Sequence, residues 1–233
     1  GYSRNLETNM REMLSDFAAI PVTGEKRKQV GVVGEIYIKY APLGNNNLVR
    51  LLMSEGAEVT QPGLFDFFLF FVRHHAEENR LYGGPGPQRL FLNVAYRYQL
   101  KLQNRVIAVI KAFGRFRAPS PFEQTVERIR PFMGLGCKMG EGWLLPAEML
   151  ELYENGIKNI ICAQPFGCLP NHVCGRGMMK PLKDRYPDMN IVAVDYDPGA
   201  SEVNQLNRIK LMITAAQRAL HAEEAKNEKT APA

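Results

Sequence analysis

Apolar and polar positions along the chain repeat with two different periods. Residues 4–19 carry apolar side chains three or four positions apart, which predicts an amphipathic helix. The run Val30–Ile38 is rich in β-branched residues and predicts a first strand that is buried on both faces. A helix over Leu48–Ser54, which Asn45–Asn47 can cap, and a strand from Ala57 follow. This strand, helix, strand order is typical of a βαβ unit.

Helical spacing replaces the strand pattern in the middle of the chain. Between Arg89 and Phe113 the apolar residues form one stripe, which predicts a long helix. It lies between two breakers, Gly83–Pro87 and Ala118–Pro121, and a short helix then runs to Arg130. We therefore expect a helical insertion over residues 64–131.

The α/β pattern returns after the insertion. The predicted elements are a helix over Pro146–Asn155, a strand over Asn159–Ala163, a helix over Gly177–Tyr186, a strand over Asn190–Asp195 and a final helix over Ser201–His221. Because strands alternate with helices, we predict an α/β fold with a doubly wound, mainly parallel sheet and an inserted helical segment. Its other parts are an N-terminal helix and link over 1–27, the two pieces of the α/β domain over 28–63 and 132–221, and a disordered tail over 222–233.

Composition places the chain among globular proteins. Of its 233 residues, 45% are hydrophobic and 23% are charged, which excludes a disordered or collagen-like chain. The longest dense apolar run, Leu64–Val72, contains Asp66, whereas a helix that crosses a bilayer needs about 20 apolar residues. The chain shows no signal-peptide pattern, so we expect a cytoplasmic protein. It begins with Gly1 and not Met, which favours a piece of a longer polypeptide.

The net charge of +5 is concentrated in the insertion. Residues 64–131 hold eleven Lys and Arg against five Asp and Glu, a balance of +6, so the remaining residues sum to −1. This excess fits a solvated helical face, or a docking face for an acidic partner or a phosphorylated ligand that uses Arg89, Arg97, Lys101 and Arg105. Neither a zinc-finger spacing nor an aromatic RNA-binding signature accompanies it, so we do not expect nucleic acid as a partner.

Three loops carry the candidate chemistry, because ligands of doubly wound sheets bind at the carboxyl ends of the strands. The first loop contains Glu35–Tyr40 and the asparagine run, which the start of a capped helix explains equally well. The second, Gln164–His172, combines two prolines, a glycine, a thiol and an imidazole. The third, Asp195–Gly199, has two acids that either orient a ligand or cap the final helix.

The four cysteines are open to metal binding or to burial in the core. Without a secretion signal, structural disulfides are not expected. Cys162, Cys168 and Cys174 are separated by five residues each, which matches neither a zinc clip nor the common ferredoxin spacings. Cys162 lies inside an apolar strand, where a thiol usually acts as a small hydrophobe. Cys168 is the best-placed thiolate because a rigid strand-end loop presents it.

The sequence contains no phosphate-binding loop. The pattern G-x-x-x-x-G-K-[ST] does not occur, and Gly31–Gly34 is not a dinucleotide fingerprint. The glycine-rich segment Gly134–Gly142 is either flexible or faces a ligand. We expect this chain neither to bind nor to hydrolyse a nucleotide.

Long motifs in the chain resemble one known family. Gly140–Pro146, Gln164–His172 and Val194–Lys210 are similar to the C-terminal, dehydratase-like region of large 2-hydroxyacyl-CoA dehydratase activase-like proteins, the CoA-substrate-specific enzyme activases. Val33–Lys39 and the following asparagines extend the similarity to most of residues 28–213. The family is related to 2-hydroxyglutaryl-CoA dehydratase and to double-cubane cluster proteins. The resemblance implies a dehydratase-subunit fold that works with an ATPase activator half outside this chain.

The resemblance also implies an iron–sulfur cluster of the 4Fe–4S kind. In the family, ATP hydrolysis drives electrons to a cysteine-bound cluster for radical reductions in anaerobic metabolism. Cys168 matches the family motif, and Cys162, Asn171 and His172 lie in the same loop region, so these four are the expected cofactor-binding residues, with Cys168 and Cys162 as metal ligands. No family ligand matches Cys137 or Cys174. A partner subunit or the rest of the polypeptide would supply the other ligands, and no catalytic residue is identified.

Three functions therefore stay open. The first is the cluster-associated domain of an electron-transfer activase, the second is a non-catalytic docking module that uses the basic insertion, and the third is a CoA-thioester binding domain without iron. Iron and sulfide content separates the first two, and stabilisation by a ligand identifies the third. Besides the activator half, an acyl-CoA and a second copy of the chain are candidate partners, whereas a membrane is not, and we expect the isolated fragment to be inactive as an enzyme.

Overall fold

The chain folds into two compact units in a computed structural model that describes residues 2–22, 27–197, 199 and 201–230. The first unit consists of Gly1–Glu25 and Leu64–Arg130, and the second of Lys26–Gly63 and Pro131–Ala233. Parts of the predicted N-terminal link, of the third strand-end loop and of the tail lie outside the described residues.

The first unit is helical and the second contains the strands. In chain order the elements are α1 (Tyr2–Ala19), β1 (Lys28–Gly34), α2 (Ile36–Tyr40), α3 (Leu48–Ser54), β2 (Ala57–Thr60), α4 (Leu64–Tyr82), α5 (Gly86–Phe113), α6 (Phe122–Ile129), α7 (Leu144–Glu154), β3 (Asn159–Pro165), a π-helix (Asn171–Arg176), α8 (Met179–Arg185), β4 (Asn190–Tyr196) and α9 (Glu202–Thr230). Among the described residues, none of these helices is long and apolar enough to cross a membrane.

The predicted fold class is confirmed, because the four strands form one all-parallel sheet. Their order is β2-β1-β3-β4, so the two pieces of the α/β pattern meet where β1 pairs with β3. The pairing runs from Val30 beside Asn159 to Gly34 beside Ala163. This register brings the carboxyl ends of β1 and β3 to the same edge of the sheet.

Helices cover both faces of the sheet, as expected for a doubly wound fold. On one face, alternate strand residues such as Val32 and Ile161 are buried in one cluster with side chains of α3 and α9. On the other face α7 packs so closely that a Cβ atom on Gly31 would lie 2.5 Å from Leu152. The glycine in β1 therefore makes room for a leucine of α7.

The first strand is shorter than the sequence predicts. Pairing ends at Gly34, whose φ is +142° and whose Cβ position would be only 1.8 Å from the carbonyl oxygen of Ala163. Glu35 then caps α2, since its Oε2 accepts a hydrogen bond from the Ile38 amide at 2.8 Å. The expectation of a strand through Ile38 is therefore wrong, because a long-range backbone contact and a cap outweigh the β-branched composition.

A buried glutamine joins three helices of the first unit. Gln103 of α5 donates to Asp66 of α4 at 2.6 Å and accepts from the Phe122 amide at the start of α6 at 2.9 Å. Helix α1 packs along α5, where Glu7 pairs with Arg105 at 3.1 Å. The segment 1–19 therefore belongs to the same unit as the helical insertion.

Candidate functional site

The sheet has one place where the chain reverses its direction of winding. From β1 the chain proceeds to β2 on one side, and from β3 it proceeds to β4 on the other. Ligands of open α/β sheets bind in the crevice outside the carboxyl ends of the strands at such a switch point. The crevice between the ends of β1 and β3 is therefore the candidate site.

Three loops meet at this crevice, and one carboxylate joins them. Glu141 of the glycine-rich loop accepts the Ile36 amide at 3.0 Å through one oxygen and the Asn171 side-chain amide at 3.4 Å through the other. The glycine-rich loop also contacts the second strand-end loop, Gln164–His172, since a Cβ atom on Gly140 would lie 3.0 Å from Pro170. The glycine-rich segment, which the sequence left as flexible or ligand-facing, thus forms part of the site.

Two backbone amides at the start of α2 are already bound by carboxylates. Glu35 holds the Ile38 amide and Glu141 holds the Ile36 amide. Two carboxylates thus occupy the amide groups that would otherwise face an anion.

Cys168 presents a half-buried thiol at this edge. Its amide donates to the Pro165 carbonyl at 3.2 Å, and the neighbouring Phe166 amide donates to Tyr196 of β4 at 3.1 Å. The Asn171 side-chain amide donates to the Cys168 sulfur at 3.3 Å. This hydrogen bond fixes the position of the sulfur at the edge of the sheet.

The π-helix that follows explains how two candidate residues are placed. A π-helical turn is rare and is often found at functional sites. Here it begins at Asn171, which is fully buried, and it is closed by the Gly177 amide donating to the His172 carbonyl at 2.8 Å. The sequence predicts the following helix but carries no signal for this turn, which includes Cys174.

His172 belongs to a polar cluster that links β3 and β4. Its Nδ1 lies 3.0 Å from the Cys168 carbonyl oxygen, which can only accept, so Nδ1 carries a proton. In the neutral ring Nε2 then accepts from the Gln164 amide at 3.3 Å, and that amide also donates to Asp195 at 2.6 Å. The second and third strand-end loops are thus joined through Gln164 and Asp195, with Arg176 at 3.5 Å from the same carboxylate.

Two buried side-chain oxygens in this region have no hydrogen-bond partner among the described residues. They are Oε1 of Gln164 and Oδ1 of Asn171, and both residues are 0% exposed. The side-chain nitrogen of each residue does donate hydrogen bonds. That of Gln164 donates to Asp195, and that of Asn171 donates to Glu141 and to the Cys168 sulfur. Buried acceptors are normally paired, so the site is arranged to receive a ligand or water that donates hydrogen bonds.

The asparagine run shapes the neighbouring loop. Asn45 caps α3 by accepting the Leu48 amide at 3.1 Å and ties it to α2 by donating to the Ile38 carbonyl at 2.7 Å. Asn46 donates to Gln205 at 3.0 Å, and Gln205 in turn donates to the backbone at the end of β4. Asn47, which directly precedes α3, makes no side-chain cap, so only Asn45 of the run binds an amide at the start of this helix. The run also supports the edge that carries the site.

A buried ion pair lies under the first loop. The Lys39 ammonium is 3.0 Å from Glu148 of α7, and both side chains are almost fully buried. Burial raises the pKa of Glu148, which Lys39 opposes and Glu151 reinforces. Burial lowers the pKa of Lys39, but Glu148 and Tyr40 together outweigh this effect and the net shift of the pKa is upward. Sequence reasoning found Lys39 and missed Glu148, whose signal is a charge within the apolar run of α7.

The other cysteines differ from Cys168. Burial raises the pKa of Cys162 to about 12, and its sulfur packs against Gly175. Cys174 is also buried, which together with the nearby Cys137 raises its pKa. Cys137 itself is exposed in the glycine-rich loop.

These residues fit an iron–sulfur cluster only in part. No group of three or more His, Cys, Asp or Glu side chains in the described part of the chain is arranged as a metal site. A cubane cluster is held by several thiolates, whereas among the described residues of the candidate site only Cys168 and the exposed Cys137 present accessible thiols. The described residues do not form a complete set of cluster ligands.

Comparisons with protein-family models, with curated proteins and with solved structures find no match to this chain.

Proposed function

We propose that this chain is the dehydratase-like, iron–sulfur-associated domain of an ATP-dependent 2-hydroxyacyl-CoA dehydratase activase-like electron-transfer protein, with Cys168 as its thiolate ligand. The observation that supports this most directly is the position of Cys168 at the switch point, where Asn171 donates to its sulfur. Asn171 has the role of holding the sulfur, and His172 that of holding the loop through the Cys168 carbonyl. Cys162, with its raised pKa, stays a buried thiol in this proposal.

The missing ligands must come from another protein surface. Large apolar side chains on the loops at this edge are more than half exposed: Tyr37, Met139, Phe166, Leu169 and Val173. Exposed apolar patches commonly mark surfaces that bind another protein. The activator half, a partner subunit or a second copy of the chain would cover this edge and complete the ligand set.

Anaerobic reconstitution tests the proposal. The purified chain is incubated with iron and sulfide, and bound iron, charge-transfer absorption and molecular mass are measured together. We expect iron to bind to the wild type with association of chains, because the accessible thiols of one chain are too few to hold a cluster. Cys168→Ser should lose the iron, whereas the matched variant Cys137→Ser should keep it. Equal iron in both variants, or none in the wild type, would contradict the role of Cys168.

A second candidate function is favoured by the two unpartnered amide oxygens. Cluster sulfides accept hydrogen bonds, and so do Oδ1 of Asn171 and Oε1 of Gln164, so a cluster alone would leave both unsatisfied. The pantetheine arm of a CoA thioester has amide N–H and hydroxyl donors that fit such acceptors. A CoA-thioester ligand at the same crevice is therefore the alternative to iron.

Thermal unfolding in the absence of iron separates the two functions. Acetyl-CoA should raise the melting temperature if the crevice binds pantetheine, and ATP serves as the control because it has an adenine nucleotide but no pantetheine arm. The rise should be smaller in Asn171→Ala and unchanged in Cys137→Ser. Equal effects of acetyl-CoA and ATP would exclude pantetheine recognition.

A further inference from the structure

The exposed face of α5 carries a second feature, which does not depend on the proposed function. Helices α4 and α5 pack against each other as a hairpin with a short turn. Near the turn, large apolar side chains are between 44% and 75% exposed: Leu81, Tyr82, Leu90, Phe91, Val94 and Tyr98. Groups of exposed large apolar side chains commonly mark surfaces that bind another protein.

Cations lie within the same face. On a helix of 3.6 residues per turn, Lys101 falls between Leu90 and Val94, and Arg97 lies about 20° to the other side of Leu90. We call the surface formed by these five residues the α5 face: Leu90, Val94, Arg97, Tyr98 and Lys101. Both cations are exposed and have no ion-pair partner among the described residues. Arg105, which the sequence groups with them, pairs with Glu7 and is not part of the α5 face.

The stretch of chain that carries this face has charges of one sign. Residues 79–122 contain eight Lys and Arg and no Asp or Glu. A second copy of the chain would bring like charges together, which disfavours self-association through this face. Nucleic acid would use the cations but would leave Leu90, Val94 and Tyr98 in water.

We propose that the α5 face docks an acidic amphipathic helix of a partner protein. An apolar stripe of the partner would cover Leu90, Val94 and Tyr98, in the way amphipathic helices bind apolar surfaces. Glu or Asp side chains beside that stripe would pair with Arg97 and Lys101. A bilayer fits less well, because membrane-binding helices keep their cations on the polar side and these two lie among the apolar residues.

Binding to a synthetic probe tests this proposal in the full chain. The probe is a labelled helical peptide with Leu at the a and d positions of each heptad and Glu at most others, and fluorescence anisotropy measures its Kd. A peptide with Gln in place of Glu should bind more weakly, and added salt should weaken the binding of the acidic peptide. The double variants R97E/K101E and L90S/V94S should each raise the Kd roughly tenfold.

Matched controls make the result decisive. The control K210E/R218E replaces two exposed cations of α9 and changes the net charge as much as R97E/K101E does. It should leave the Kd unchanged. Circular dichroism checks that each variant is folded. The proposal is overturned if the acidic peptide does not bind, or if it binds all variants equally. It is also overturned if phosphatidylserine vesicles or single-stranded RNA, and not the peptide, bind in a way that needs these residues, or if L90S/V94S abolishes self-association in sedimentation.

Discussion

At the scale of single residues, the Lys39–Glu148 pair is the interaction whose loss should cost most. Both charges are buried, and the ammonium makes two hydrogen bonds of 3.0 and 3.1 Å to the carboxylate. Breaking a buried pair leaves one charge without compensation, which typically costs about 3 to 5 kcal/mol. We expect Lys39→Met to lower the free energy of unfolding by about 3 kcal/mol or more at pH 7, as measured by urea denaturation.

The pH dependence of that variant has a definite sign. Burial already raises the pKa of Glu148, and loss of Lys39 removes the main charge that opposes it. A group with a raised folded-state pKa contributes stability below its unfolded pKa and loses it as pH rises through the folded pKa. The loss in free energy of unfolding that Lys39→Met causes should therefore be smaller at pH 5 than at pH 8. In the exposed pair Lys180–Asp184, the control Lys180→Met should change stability by less than about 1 kcal/mol. A loss of stability that is the same at pH 5 and at pH 8 would mean that Glu148 stays ionised in the folded variant across this range, and would contradict the expected rise in its pKa.

The cysteines should differ in their reactivity in the folded protein. Cys162 is buried with a pKa raised to about 12, so it presents almost no thiolate at pH 8. Cys137 is exposed and Cys168 is half-buried. We expect iodoacetamide to modify Cys137 and Cys168 first, and Cys162 only after unfolding in urea, as mass spectrometry of peptides would measure. Modification of native Cys162 as fast as Cys137 would show that β3 opens readily.

At the scale of elements, the end of β1 depends on one glycine. Any Cβ at position 34 would overlap the carbonyl oxygen of Ala163, and the φ of +142° disfavours other residues. Gly34→Ala should lower the free energy of unfolding by about 2 kcal/mol or more, measured by urea denaturation. Gly63→Ala is the matched control, since a Cβ there would meet nothing within 4 Å. Equal stability of the two variants would mean that β1 and β3 separate at no cost.

The same position shows what the sequence could and could not predict. The strands at Ala57, Asn159 and Asn190 follow from runs of β-branched residues, and the structure confirms them. The end of β1 cannot be predicted from such a run, because it depends on the carbonyl of Ala163, which is 129 residues away in the sequence. The π-helix has no composition of its own, and α9 continues past His221 to Thr230 because Ala, Glu and Lys favour helix.

The sequence likewise predicted some parts of the candidate site and missed others. Reasoning from strand ends selected the loops of Cys168 and Asp195, and the structure joins them through Gln164. Glu141 was missed as a site residue, since nothing in a glycine-rich segment shows that its carboxylate will reach both Ile36 and Asn171. Contacts of that kind depend on the packing of three distant segments.

At the scale of the whole molecule, the amide groups near the switch point bear on nucleotide chemistry. Phosphate-binding folds present free backbone amides at the start of a helix that follows a strand. In this chain β1 is followed by such a helix, but Glu35 and Glu141 occupy two of its first amides, and their negative charge would repel a triphosphate. We therefore expect no ATP turnover by the isolated chain. Phosphate release from ATP is the measurement, with and without Mg²⁺, and Glu141→Gln serves as a probe of the site. Turnover that survives repurification and disappears in Glu141→Gln would reveal a nucleotide site at this edge, and the ATPase role would then lie in this chain and not in a separate activator half.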